Sequence, residues 1–412
     1  LSQFNANNNH IEHALMALSE ARQIAPDRLD LVFLFAKTLN SKGAAEESVE
    51  HLDDLISHEN ATADLLHQSA YLYIQSQDLD RAGIALEKAL QKNTGTNPLL
   101  LMDLAVLYTL MDQRKKALEL VDLPESTLRN CPFLAMLKAN LLSQIGQYTS
   151  GLAILDLIDE DMGEKREGQH LQNKDYDQSP LLFRFDFSYK GYLLQRGQLT
   201  RAAGKAQEAQ MILEKAYNLI PQDHQTQNAL VGAYVAGMDY EEALNNIKET
   251  NPLGGNPGQL NLDQLDLVCA HVEILLEMDN IEQAEKILNS PHLLEREYPR
   301  LLALKSRHAS IQGKISEARG YLQRAVEGYQ ENLKENRPAP PSDTFRMQAN
   351  LQSMANAFRE LGNYPLAQVH QREAWRLAKN QPDNNYHYLH LIIESAEKQQ
   401  IAQVIKLKAH AP

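Results

Sequence analysis

Residues 63–96 read ADLLHQSAYLYIQSQDLDRAGIALEKALQKNTGT, and this stretch decides the fold. Leu66, Ala70 and Tyr73 stand at i, i+4 and i+7, a spacing that places them on one face of a helix. A polar turn of about four residues follows, and Arg81–Gln91 then reads as a second amphipathic helix. Its first small residue, Ala82, comes twelve positions after Ala70. Two antiparallel helices of ~12–15 residues are the result, with small residues letting the pair approach closely. One such pair cannot bury its apolar face alone, so it needs neighbours of the same kind.

Working outward, the neighbours are there. The small residue of the second helix recurs as Ala14, Ser48, Ala82, Ala117, Gly151, Ala209, Ala243, Ala284, Ala318, Ala367 and Ala402. The steps between them are 34, 34, 35, 34, 58, 34, 41, 34, 49 and 35. Insertions of 24, 7 and 15 residues account for the three long steps. The partner twelve positions earlier is visible as Ala36, Ala70, Ala105, Ala139 and Ala355. Apolar residues flank it again in Leu101-Ala105-Tyr108 and Leu351-Ala355-Phe358. Turn and second helix recur together as Gly146-Gln147-Tyr148 with Gly151, Gly313-Lys314-Ile315 with Ala318, and Gly362-Asn363-Tyr364 with Ala367. Pro26, Pro221 and Pro252 act as helix stops. The reading is an all-α chain, an α-solenoid of stacked antiparallel helix pairs.

Leu, Ala and Tyr in the first helix, Gly at the turn, Ala early in the second helix and Pro after it: this pattern resembles the tetratricopeptide repeat family. The resemblance covers nearly the whole chain in about ten copies, clearest at 63–96, 98–123, 224–251, 265–290 and 348–381. Ser48 and Gly151 depart from the family's usual Ala. The related pentatricopeptide family, which reads RNA, runs mostly at 35 residues; the dominant step here is 34 and the chain is acidic. The resemblance implies a right-handed superhelix whose concave groove binds another protein or peptide.

Some members of that family grip a C-terminal carboxylate with Lys, Asn and Arg on the inner faces of successive first helices. The matching positions here are Phe33, Lys37, His67, Tyr71, Met102, Val106, Met136 and Asn140. Only Lys37 and Asn140 fit that chemistry, and they lie three units apart, so the clamp is not supported. The inner positions of the N-terminal half are instead apolar and aromatic. Phe33, Lys37, Tyr71, Met102, Val106, Phe133, Met136 and Asn140 are therefore the candidate partner-binding residues. Farther along, Asn228, Cys269, Glu273, Arg307, Gln352 and Asn356 make a mixed surface.

Composition narrows the functional classes. The 412 residues carry 40 Lys+Arg against 54 Asp+Glu, a net charge of −14, which disfavours a phosphate-backbone partner. The longest uncharged apolar runs fall far short of the ~20 residues a membrane helix needs. Cys131 and Cys269 are too few for a disulfide framework or a cysteine zinc site. No HExxH, GxSxG or dinucleotide fingerprint occurs, and Gly254-Gly255 lacks the Lys-Ser/Thr of a phosphate loop. His387, His390 and Glu394 share a helical face but read as a solvated capping helix, and His10 with His13 is a weaker pair. Asp156, Asp159 and Asp161 before Gly163 fit a calcium loop poorly. Neither a metal nor a cofactor is expected, and no catalytic constellation is visible.

The array divides into N-terminal repeats (1–158), a polar insertion loop (159–180), central repeats (181–330), a Pro-rich connector (331–345), and a C-terminal repeat with capping helices (346–412). The segment after Pro180, with Phe183, Phe185, Phe187, Tyr189 and Tyr192, reads as an unusually long first helix. The first repeat looks halved: Leu1–Ala6 and the Asn7-Asn8-Asn9 turn precede the helix of Ala14, so a covalent continuation before Leu1 is expected. The functional expectation is a non-enzymatic scaffold that binds a partner protein or peptide. The alternatives are the substrate-recruiting or regulatory part of a larger enzyme, and an envelope assembly or secretion factor. The compartment, cytoplasmic or periplasmic, is not readable.

Overall fold

A computed structural model describes residues 2–93, 97–111, 113–158, 179, 181, 187–221, 223–250, 253, 260–294, 296–335, 351, 352, 354–359 and 361–377. These residues are helices and short connections, with no strand among them. In chain order the helices begin with α1 (Ser2–Ile24), α2 (Leu29–Lys42), α3 (Ala45–Ser57), α4 (Ala63–Gln75) and α5 (Leu79–Lys92). Then come α6 (Pro98–Leu110), α7 (Arg114–Leu120), α8 (Glu125–Asn130), α9 (Pro132–Gln144) and α10 (Tyr148–Asp156). Next are α11 (Tyr189–Ala202), α12 (Ala206–Leu219), α13 (His224–Ala236), α14 (Tyr240–Thr250) and α15 (Leu262–Glu277). The last are α16 (Ile281–Leu288), α17 (Pro299–Ile311), α18 (Ile315–Glu335) and α19 (Tyr364–Leu377). From α2 onward, first and second helices alternate as hairpins, α2 with α3, α4 with α5, and so on, α8 standing between two hairpins. The chain is an all-α solenoid of such pairs.

The chain forms two compact units. One comprises Leu1–Thr127 together with Leu171–Phe185, the other Leu128–His170 together with Asp186–Pro412. The first therefore holds α1 to α7 and the second α9 to α19.

Most of the described hairpins are built on a pair of small residues twelve apart; in α13–α14 and α15–α16 the first of the two is Val231 and Val272. Ala36, Ala70, Ala105, Ala139 and Ala355 are fully buried, as are Ala82, Ala117, Ala209, Ala243, Ala284 and Ala367. Where a serine replaces alanine, its hydroxyl bonds across the crossing. Ser48 Oγ donates to the Ala36 carbonyl at 2.7 Å, and Ser306 Oγ donates to the Ala318 carbonyl at 2.7 Å. At Gly151 a β-carbon would lie 3.2 Å from the Ala139 carbonyl oxygen, so glycine is what this crossing accommodates.

The turns repeat as strictly. Five residues before eight of the closing small residues, the backbone enters the left-handed region: Gly43, Gln77, Gly146, Gly204, Met238, Asp279, Gly313 and Gly362. The next residue's N–H then reaches back to the carbonyl five positions before it, as from Asp78 to Tyr73 (2.9 Å), Asn280 to Leu275 (2.8 Å) and Lys314 to Ala309 (2.9 Å). That 6→1 bond satisfies a carbonyl the helix end would otherwise strand, and it fixes the exit direction.

Three expectations change. The chain does not turn at Asn7–Asn9; α1 runs through them, because no residue there leaves the right-handed region and Asn costs a helix only tenths of a kcal/mol. The long helix expected after Pro180 begins only at Tyr189, where the Ser188 hydroxyl accepts the Gly191 N–H and caps it. The connector expected from Glu331 gives way to helix as far as Glu335, since ENLKE contains no breaker before Pro338. His387, His390 and Glu394 lie outside the described residues.

Candidate functional site

In the first unit, consecutive first helices α4 and α6 bring together a buried polar group around Asp103. Each helix is fixed at its start by a side-chain cap: Thr62 Oγ1 accepts the Leu65 N–H, and Asn97 Oδ1 accepts the Leu100 N–H ahead of a Pro98 that has no N–H to lose. His67 and Tyr71 are one turn apart on α4, and their rings sit 4.9 Å centre to centre. They face Asp103 of α6, one repeat farther on. Tyr71 OH donates to Asp103 Oδ2 at 2.6 Å, and His67 Nε2 lies 2.7 Å from the same oxygen. An ionised carboxylate can only accept, so Nε2 is the protonated ring nitrogen.

The third bond comes from outside the repeats. Ser179 Oγ donates to Asp103 Oδ1 at 2.5 Å, across 76 residues of sequence, and also accepts the Leu181 N–H at 3.1 Å. Asp103 has no solvent exposure, and both Ser179 and Leu181 are buried. A buried carboxylate is tolerable only when its oxygens are bonded, and here three donors supply that. Burial first, then the Asp103 charge, pushes the Tyr71 phenol far above its ordinary pKa and keeps it a donor.

This arrangement is not a Ser–His–acid triad. In a Ser–His–acid triad the imidazole stands between hydroxyl and carboxylate and takes the serine proton. Here the carboxylate stands in the middle, and serine and histidine occupy different oxygens of it. Among the described residues no group of three or more His, Cys, Asp or Glu is placed to hold a metal.

The candidate partner-binding residues separate on burial. Phe33, Met102 and Val106 in the first unit are buried, Tyr71 is half-buried and Lys37 is exposed. In the second unit Phe133 and Met136 are buried. Phe133 meets the edge of Phe187 at 4.9 Å, and the Met136 carbonyl accepts Gln195 Nε2 at 2.8 Å. Asn140 is spent within α9, its Oδ1 accepting Gln144 Nε2 at 2.9 Å. The later inner positions tie one first helix to the next. Arg300 bridges Asp266 and Glu273, Arg307 bonds Glu277 at 2.9 Å, and Tyr298 OH donates to Asp266 at 2.6 Å. Burial within this ladder pushes the Cys269 thiol up to about 12.

Sequence reasoning passed over Asp103, Ser179 and Leu181. One signal for Asp103 was present: it is the lone charge in PLLLMDLAVLYTL, a helix apolar on every side. Nothing local marked Ser179, because its partner lies 76 residues away in the repeats.

With this geometry in place, the likeness to known proteins can be stated. The repeat is tetratricopeptide-like. No family model matches the chain, and neither does any curated protein. Among solved structures, a tetratricopeptide repeat protein from Parabacteroides merdae is 15% identical with a TM-score of 0.48, the match covering 66% of this chain and 96% of that one. A TPR protein from Thermus thermophilus is 16% identical with a TM-score of 0.35, covering 50% and 99%. The APC/C hetero-tetramer Cut9–Hcn1 is 14% identical with a TM-score of 0.34, covering 96% and 83%. These superpositions are loose. The 34-residue spacing, the left-handed turn and the buried small pair carry the tetratricopeptide-like assignment.

Proposed function

We propose that this chain is a protein-interaction scaffold that takes an extended segment of another polypeptide against the first helices of its first unit. One observation carries the reading. The face made by α4 and α6 already accepts a residue from outside the repeats, with a hydroxyl on Asp103 and a buried leucine beside it. A fixed polar point set among apolar side chains is how a groove orders an incoming backbone and sets its register. Tyr71, half-buried and hydrogen-bonded, is the aromatic that such an interface uses as an anchor. The side chains at the site are committed to one another, so binding, not turnover, is its role. A net charge of −14 favours a polypeptide partner over a nucleic acid.

The test is a random-dodecamer display selection on the intact chain, with hits re-measured against a folded Tyr71→Asp variant. Selected peptides are expected to bind the wild type and to lose at least tenfold in affinity for the variant. Hits that ignore the substitution, or no hits above background, would remove the first-unit face from consideration.

A further inference from the structure

We propose that Ser179 and Leu181 are a resident ligand of the first unit's groove, so that a partner must displace them and must carry their chemistry: a Ser or Thr hydroxyl two residues ahead of a leucine-sized aliphatic. The proposal rests on the scaffold reading and deepens it.

The carboxylate sets the chemistry. His67 and Tyr71 both serve Asp103 Oδ2, and Ser179 Oγ serves Oδ1. A segment that leaves must therefore be replaced by another donor, or a buried anionic oxygen loses its bond. The donor is compact in the structure: the hydroxyl of a serine, directly on Oδ1 of a carboxylate that is fully buried around it. It has to be a donor at all, because a phosphate or carboxylate would face a buried like charge. The groove is thus opposite in sign to one that grips a C-terminal carboxylate.

The spacing follows from the turn. Ser179 Oγ accepts the Leu181 N–H at 3.1 Å while donating to Asp103, so one hydroxyl fixes both the polar contact and the position of the residue two farther on. Leu181 is buried there. Met102 and Val106, on the same helix as Asp103, are buried as well. The Ser179 hydroxyl on Asp103 and the buried Leu181 are contacts that a competing segment with the same donor and aliphatic can exchange with.

The experiment uses the full chain and a fluorescein-labelled peptide of residues 176–183, YDQSPLLF, followed by anisotropy. Three proteins are compared: wild type, Leu181→Asp, and Leu181→Asp with Asp103→Asn, each shown folded by circular dichroism. The peptide is expected to bind Leu181→Asp at least tenfold more tightly than wild type. Asp103→Asn should remove most of that gain, and peptides with Ala or phosphoserine in place of the serine should lose it too. Equal affinity for wild type and Leu181→Asp, or no binding to a folded Leu181→Asp, overturns the proposal. Should Leu181→Asp not fold, Ser179→Ala, which changes a single hydroxyl, takes its place with the same expected direction. The two readings fail separately. A vacated groove that ignores its own peptide while display-selected peptides still depend on Tyr71 removes the resident ligand and leaves the scaffold.

Discussion

Three of the hairpin turns hold a side-chain-bearing residue in the left-handed backbone region: Gln77 (φ 62°), Met238 (φ 64°) and Asp279 (φ 55°). For an L-residue that conformation costs about 1–2 kcal/mol, least for Asp and Asn. Met238 has no offsetting burial, being mostly exposed. Met238→Gly should therefore stabilise the protein by about 0.5–1 kcal/mol after allowing for the extra freedom glycine gives the unfolded chain. The mirror experiment is Gly313→Ala. At Gly313 (φ +75°) a β-carbon would meet nothing within 4 Å, so any loss is purely conformational, and about 1–2 kcal/mol of destabilisation is expected. Urea midpoints of the two variants against wild type check both signs. The turns themselves were legible as the recurring Gly or polar residue ahead of each second helix. That Gln77 and Met238 adopt the same backbone shape was not, because the 6→1 bond and the packed hairpin impose it against their own preference.

At the scale of the element, the decisive quantity is how closely the two helices of a pair approach. Gly197 stands twelve residues before Ala209, the position that alanine fills in other copies. An added β-carbon there would lie 2.4 Å from Leu213 Cγ and 2.6 Å from its Cδ2. Gly197→Ala is accordingly expected to cost about 1–3 kcal/mol through overpacking. The same change in a Leu213→Ala background should cost much less, a non-additivity that a double-mutant cycle in urea reads directly. Equal costs in the two backgrounds would mean that the helices separate freely. The alternative small residues were visible in the sequence as Ser48 and Gly151. Their meaning came only with the crossing geometry, where serine hydroxyls bond the facing carbonyl and Gly151 sits against Ala139.

For the molecule as a whole, stability is a sum of hairpins and of the interfaces between neighbours, so a group buried at one interface affects the array through that interface. In the second unit one continuous apolar cluster runs from Val231 through Leu265, Val272 and Leu288 to Leu304, joining successive hairpins. His271 sits on α15 within this region. Burial, helped by the nearby charge of Lys248, lowers its pKa to about 4. The folded state therefore holds this imidazole neutral. Above the unfolded value of about 6.5 both states are neutral and the stability is fully present; as the pH falls from there toward 4 the unfolded state gains the proton first and stability is lost, about 1–3 kcal/mol from this group. His271→Gln should flatten that part of the profile between pH 6.5 and 4 in urea unfolding measured across the range. An unchanged pH slope would show that His271 protonates as readily folded as unfolded.

What the sequence determined by itself is whatever repeats locally. Helical periodicity, the pair of small residues twelve apart and the turn between them are short-range features, each written in fewer than fifteen consecutive residues, and their recurrence every 34 residues specifies stacked hairpins. The tertiary structure decided which inner-face residues are available. Phe33, Met102 and Val106, aromatic and apolar inner positions, turn out to be buried, and Asp103 holds Ser179 from 76 residues away. No periodicity encodes that contact. It exists because a charge buried in an apolar helix requires donors, and folding brings the third one from beyond the repeats.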